Sequence, residues 1–295
     1  MKPIVFKGSA AALVTPMRTD GAINWELFGL LLDRQLEQGS DAVLICGTTG
    51  ESATLSEREH IDAIAFAADR VDGRIPVIAG AGSNSTACAV RLSKEAERAG
   101  ADALLHVTLY YNKSSQAGLL RHFSEIADAA ALPVILYNVP SRTGCCIQPE
   151  TCRKLAAHPN INAIKEASGN LSAVSEIAQR CGGELWLYAG NDDQTLPVLS
   201  VGGLGVISVC ANLIPSVMHE ICALWFADRA EQSRMLFLRY LDLMRALFVD
   251  VNPIPVKQAL CWMGFDAGPC RLPLVGMSER DQRLLRTSMQ ACGLL

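Results

Sequence analysis

The sequence has no basic excess, no block of like charge and no solenoid-length repeat. Its formal net charge is −4, which excludes a nucleic-acid groove lined with clustered positive charge. Without a recurring unit, stacked-repeat architectures are excluded too. No apolar run is long enough to span a bilayer. The least polar stretch, 201–217, is interrupted by Asn212, Pro215 and several glycines. Near the start, Lys2 and Lys7 are followed only by Ala10 to Val14 before Thr15-Pro16. That is too short for the apolar core of a signal peptide and reads as a buried strand. A cytoplasmic location, with no membrane or nucleic-acid partner, is the expectation.

The common cofactor and metal motifs are missing as well. There is no CxxC, HExxH or Walker loop, and the five histidines do not cluster in sequence. Gly80-Ala81-Gly82-Ser83-Asn84-Ser85 lacks the third glycine of a dinucleotide-binding turn. Cysteine is the exception to this scarcity, with eleven residues scattered from Cys46 to Cys292. An odd number without metal-ligand spacing argues against a disulfide framework or a zinc site. Most lie in apolar runs such as Val43-Leu44-Ile45-Cys46, where a thiol behaves as a small hydrophobe. Free structural thiols in a reducing compartment are expected. Asp192-Asp193 would suit a divalent cation, but a helix N-terminus explains the pair more simply, so no metal is expected.

What the chain does contain is regular alternation. Half of its 295 residues are hydrophobic, ample for a large core. Continuous apolar runs of strand length occur at Ala10–Val14, Ala42–Ile45, Pro76–Ala79, Ala103–Val107, Val134–Tyr137, Ile161–Lys165, Leu185–Ala189 and Gly205–Ser208. Such runs fit strands of a parallel sheet covered on both faces. Between them lie segments of helical period, among them Asn24–Gln38, where Leu27, Leu30, Leu31 and Leu36 form a stripe. Ser56-Glu57-Arg58-Glu59 is a capping box opening a helix over Glu57–Val71, and Gly39 and Gly100 are placed to end helices. Strand then helix, eight times, predicts a (β/α)8 barrel, an α/β fold, over residues 1–227. After about Asp228 only helical patterns remain. Leu236, Tyr240, Leu243 and Leu247 continue a stripe, Pro255 starts a helix that Gly264 ends, and Ser278 opens a last one. Residues 228–295 are therefore expected to form a helical extension packed on the barrel.

A barrel of this kind works at the C-terminal ends of its strands. Polar residues gather there: Gly47-Thr48-Thr49-Gly50-Glu51, Tyr137 with Arg142, Lys165-Glu166, Gly190-Asn191-Asp192-Asp193 and Ile207-Ser208. Lys165 ends an apolar strand, so its stem is directed into the barrel mouth. There, loss of water would leave the amine uncharged and nucleophilic. The plainer alternative is a lysine that snorkels to solvent or pairs with Glu166. The Gly-Thr-Thr-Gly loop suits a small carboxylate through hydroxyls and unhindered N–H groups, though an ordinary strand-to-helix turn has the same composition. Tyr137 reads either as an acid/base or as a packed aromatic. Arg142 reads as a carboxylate clamp or a solvated loop cation. Tyr110-Tyr111 would cover the site or fill an interface.

Taken together, these motifs resemble the dihydrodipicolinate synthase/N-acetylneuraminate lyase family. The resemblance runs from Ala12-Leu13-Val14-Thr15-Pro16 to Asn252-Pro253-Ile254-Pro255-Val256-Lys257. It is carried most strongly by Gly47–Glu51, Tyr137–Gly144 and Ile164-Lys165-Glu166-Ala167-Ser168-Gly169. It implies a pyruvate-dependent aldolase reaction belonging to diaminopimelate and lysine biosynthesis. Lys165 would form an imine with pyruvate, without metal or other cofactor. Tyr137 would shuttle protons in a relay with Thr48 and with Tyr111 from a neighbouring subunit. Thr49 and the backbone around Ile207 would hold the pyruvate carboxylate, with Gly190 also lining the substrate site. Arg142 would bind the carboxylate of aspartate semialdehyde and separate this chain from the sugar-acid lyases, which usually lack it. The implied assembly is a homotetramer built from tight dimers.

Several positions depart from the family pattern. Leu109 stands where proline is common, and Asn191 where a smaller residue is usual. Ser52, Ala53, His60, Asn84 and Tyr110 match a lysine-feedback site that some members carry between subunits. Glu57, however, replaces a common histidine, and Cys88 replaces an acid that would pair with the effector's ammonium. Weak or absent inhibition by lysine is the expectation. Three rival readings stand beside this one: a sibling lyase, a barrel that binds a keto acid without catalysis, and a nicotinamide oxidoreductase. The second is disfavoured by the joint presence of Lys165, Tyr137, Thr48 and Tyr111, and the third by the missing phosphate-binding turn.

Overall fold

A computed structural model describes residues 2–295. Eight parallel strands close into a barrel in chain order: β1 Gly8–Ala12, β2 Ala42–Ile45, β3 Val77–Gly80, β4 Ala103–Val107, β5 Val134–Asn138, β6 Ile161–Glu166, β7 Trp186–Ala189 and β8 Gly205–Ser208. Closure comes from β1 against β8, with Ala10 opposite Ile207. Every strand anticipated from the apolar runs is present. β1 is displaced by two residues from the expected Ala10–Val14, because pairing with β8 begins at Gly8. Leu13 and Val14 lie beyond the strand, where the Val14 N–H donates to the Asn212 side chain at 3.0 Å.

Alternation along the strands divides the apolar side chains between two layers. Inside the barrel, Ala10, Ala12, Ala42, Leu44, Ile78, Leu105, Ile135, Ala163 and Ile207 form one core. The opposite parity, including Ala11, Val43, Ile45, Leu104, Leu136, Ile164 and Val206, packs against the helices in a second and larger core. Because both faces are dry, each strand reads as a continuous apolar run. The interior is closed at the opposite end from the mouth by Phe6, whose ring stacks on Tyr188 with centroids 4.2 Å apart. Tyr188 satisfies its buried hydroxyl by donating to the Phe6 carbonyl at 2.6 Å.

The helix boundaries follow the anticipated chemistry. Trp25–Glu37 is capped by the Asn24 side chain, and Glu57–Val71 opens with a complete capping box on Ser56 and Glu59. Gly39 and Gly100 both lie at positive φ, where the missing Cβ lets the chain turn out of the helix. Beyond the helix Pro215–Phe226 the elements are helices only: Ala230–Ala246, Ile254–Trp262 and Glu279–Ala291. The first packs along Pro215–Phe226 and along the last. Among the described residues no helix is long and apolar enough to cross a membrane. All eleven cysteines are free thiols, and Cys46, Cys145, Cys152, Cys181, Cys210 and Cys222 are buried.

Candidate active site

Lys165 shares inward parity with Ala163 and lies in register with Tyr137 on β5 and Tyr188 on β7. The whole residue is only 5% exposed. Its Nζ stands 4.5 Å from the centre of the Tyr137 ring. Burial is the largest influence on this amine and lowers its pKa to about 8. The Asp192 carboxylate pulls the value up and the Arg142 cation pushes it down. Relative to the ordinary 10.5, this disfavours the ammonium by on the order of 3 kcal/mol. About one amine in ten is then neutral at pH 7.

Tyr137 is buried beside it. Desolvation raises the phenol's pKa, opposed by the Arg142 charge and by a hydrogen bond from the Thr48 side chain. Tyr137 is thus a neutral acid at rest, with a neighbour able to stabilise the phenolate. Thr48 and Thr49 occupy the loop after β2, which turns back through the Gly50 N–H to the Gly47 carbonyl at 3.1 Å and the Glu51 N–H to the Thr48 carbonyl at 3.1 Å. Thr49 Oγ1 accepts from Asn252 Nδ2 at 3.0 Å. Arg142 lies on the short helix Pro140–Thr143 and is exposed at the mouth, where its charge acts on both Tyr137 and Lys165.

The remaining candidates frame this centre. Ile207 is buried in the barrel interior. Gly190 donates its N–H to the Glu166 carbonyl at 2.8 Å, and an added Cβ there would lie 2.6 Å from the Ala167 methyl. Only glycine lets β6 and β7 approach so closely at the rim. Glu166 has the opposite parity to Lys165. It accepts from Asn138 Nδ2 at 2.7 Å and from the Ser168 N–H at 2.6 Å, and burial raises its pKa. The pairing of Lys165 with Glu166, the plainer alternative, is not what the structure contains.

Tyr111 does not join these groups within the chain. It is 95% exposed, with φ at 67°, so a bulky aromatic is held in the left-handed region with its ring in the open. Asn84 and Tyr110 are neighbours, the Asn84 amide donating to the Tyr110 carbonyl at 3.2 Å. His60 is buried, with Nε2 at 2.7 Å from the Gly80 carbonyl. Ser52 and Ala53 form the single turn Ser52–Thr54. Glu57 is engaged by both guanidinium nitrogens of Arg91 at 2.6 Å.

Two features were not read from the sequence. Asp192 does begin a helical turn, but its carboxylate does not cap that turn. Its Oδ2 accepts instead from the N–H groups of Val209 and Cys210 after β8, at 3.1 and 2.9 Å. This places a buried carboxylate near Lys165, its pKa raised by burial against the lowering pull of these hydrogen bonds and of the lysine, where the pattern Asp-Asp alone indicated only a helix start. Asn252 reaches Thr49 from the C-terminal helical region, 203 residues away. No local signal in either segment names that partner.

The family model described as "Dihydrodipicolinate synthetase family" matches residues 5–292. A 4-hydroxy-tetrahydrodipicolinate synthase of Caldicellulosiruptor bescii is 51% identical over 290 residues, covering 98% of each chain. The chloride-inhibited dihydrodipicolinate synthase of Acinetobacter baumannii, solved with pyruvate, is 41% identical. It superposes with a TM-score of 0.96 over 98% of this chain and 99% of that one. The Cyanidioschyzon merolae homologue, solved with lysine bound, is 42% identical. Its TM-score is 0.95 over 99% of this chain and all of that one.

Proposed function

The chain belongs to the dihydrodipicolinate synthetase family, and from that membership we propose that it catalyses the 4-hydroxy-tetrahydrodipicolinate synthase reaction, condensing pyruvate with L-aspartate 4-semialdehyde on Lys165. The observation that carries the chemistry is the buried amine, lowered to about 8, beside a neutral buried phenol. The neutral Nζ of Lys165 attacks the keto carbon of pyruvate. Tyr137 gives its proton to the departing hydroxyl, which leaves as water, and the protonated imine remains. That imine is the electron sink. The phenolate, held by Thr48 and the Arg142 charge, takes a proton from the pyruvate methyl and the enamine forms.

The enamine carbon then bonds to the aldehyde carbon, whose oxygen takes up a proton. The amine of the condensed semialdehyde attacks the imine carbon, closes the ring and expels Lys165 with its proton. Thr49 and the backbone around Ile207 and Gly190 hold the pyruvate carboxylate and line its site, while Arg142 receives the second carboxylate. Since the imine supplies the sink, no metal enters this scheme, and turnover is expected to survive a chelator. The exposed, strained Tyr111 supports assembly into tight dimers, in which the ring enters a neighbour's relay, and dimers pair into a tetramer. The free thiols support a reducing cytoplasm.

Borohydride reduction in the presence of pyruvate, followed by peptide mapping, tests the scheme directly. A stable adduct on Lys165 is the expected result. Unmodified protein, or an adduct on another lysine, would overturn it.

A further inference from the structure

The helical region beyond the barrel holds a second buried lysine that the reaction does not use. Lys257 and Glu51 are 2% and 1% exposed at their side chains, with Nζ 2.7 Å from Oε1. We infer that Lys257, through this ion pair, is a positioning residue for the Gly47–Glu51 loop, so that the helical extension sets how tightly pyruvate is held. This role rests on the reading above that the loop seats the pyruvate carboxylate.

The loop's own turn bonds are local, and its two glycines leave the backbone permissive. Glu51 itself sits at φ 55° in the left-handed region, a conformation that needs outside support in a residue with a Cβ. Both of its carboxylate oxygens are engaged from the C-terminal region. Oε1 accepts from Lys257, and Oε2 accepts from the Arg271 N–H at 2.8 Å. Lys257 also donates to the Pro269 carbonyl at 2.8 Å and the Thr15 carbonyl at 3.3 Å, so three acceptors surround the ammonium. Thr15 Oγ1 in turn donates to the Gly50 carbonyl at 2.7 Å.

Asn252 supplies a parallel contact on the same loop. By donating to Thr49 Oγ1, it occupies an acceptor site and leaves the threonine proton for a ligand carboxylate. The loop is therefore held at Thr49, Gly50 and Glu51 by a network with its centre outside the strands. For stability alone, apolar residues of similar volume would serve as well as a buried ion pair. What the pair adds is direction, since its geometry admits one placement of Glu51.

Steady-state kinetics of the full-length protein carrying Lys257→Met test this. The pyruvate KM should rise about tenfold, the cost of one charge-assisted bond transmitted to the loop. The KM for aspartate semialdehyde should stay within about twofold, because the Arg142 helix lies outside the network. Lys257→Arg should recover part of the loss. If Lys257→Met does not fold, the neutral double variant Lys257→Met with Glu51→Gln takes its place, and there the pyruvate KM should remain raised. A pyruvate KM near the parent's in either folded variant, or an equal rise for both substrates, would overturn the positioning role. Thr49→Val is measured alongside. If it leaves the pyruvate KM unchanged, the carboxylate seat itself is misassigned, whatever Lys257 does.

Discussion

Asp192, just past β7, acts on Lys165 of β6 while its carboxylate reaches across the seam to β8, fastened to the Val209 and Cys210 N–H groups. Burial drives the ammonium towards neutrality while this fixed anion restrains the shift. The opposition leaves the amine at about 8, where both protonation states are accessible near neutral pH. The proposed cycle, which takes up and releases a proton at one nitrogen, benefits from that balance.

The rate of borohydride-trapped imine formation should therefore rise with pH through about 8 and level off above it, since the neutral form attacks. Asp192→Asn keeps an oxygen for the Val209 and Cys210 N–H groups but removes the negative charge. The ammonium loses an attraction, its pKa falls further, and the midpoint of the profile moves to lower pH. An unmoved midpoint, or one displaced upward, would show that Asp192 has no electrostatic hold on Lys165.

Arg142→Ala should lower kcat/KM for aspartate semialdehyde by about 10- to 100-fold, as expected for loss of a charge-assisted carboxylate contact. Trapping of pyruvate on Lys165 should persist, because Arg142 lies at the mouth and not on the imine. Equal loss in both assays would remove Arg142 as the determinant of the second substrate.

Free lysine should inhibit weakly or not at all. Cys88 stands where the acid is expected, and Arg91, which donates to its Sγ at 3.5 Å, commits both oxygens of Glu57. An incoming ammonium therefore meets no free carboxylate from Glu57, and loss of one charge-assisted bond weakens binding by about tenfold or more. Titration of initial rates with L-lysine checks this, and a sub-millimolar inhibition constant would refute it.

Acid should destabilise the fold through His106. This ring is fully buried, with Nε2 at 3.1 Å from Ser93 Oγ and Nδ1 unpartnered. Burial, with a smaller contribution from His122, lowers its pKa from 6.5 to about 3. The unfolded chain thus binds the proton first. The contribution of this ring to stability is fully present above pH 6.5 and is lost as pH falls towards 3, by on the order of 5 kcal/mol once both values are passed. Chemical denaturation at a series of pH values should show His106→Gln losing less stability over that window than the parent. Parallel declines would assign the acid sensitivity elsewhere.

The barrel was legible because a parallel sheet with helices outside and a packed interior leaves no polar face. Each strand from β2 to β8 announces itself as a short apolar run between helical patterns. β1 was displaced because Leu13 and Val14 are apolar for a different reason: they lie past the strand in the helix-facing core. Lys165 was legible by its place at the end of such a run, and Thr48, Thr49, Tyr137 and Arg142 by theirs on the same rim. The role of Tyr111 came from resemblance alone, since an exposed tyrosine in a loop has no local mark of a partner.

Local sequence determined the strand count, the helix caps at Asn24, Ser56 and Ser278, and the side of the barrel on which polar groups collect. These depend on periodicity and neighbouring residues, which a linear chain carries openly. Tertiary structure alone decided that Asp192 bonds past β8, that Asn252 meets Thr49, and that Lys257 meets Glu51 across 206 residues. Those contacts depend on how the closed ring of strands and the C-terminal helices are brought together, and a charged residue's sequence neighbours do not specify which distant partner removes its burial cost.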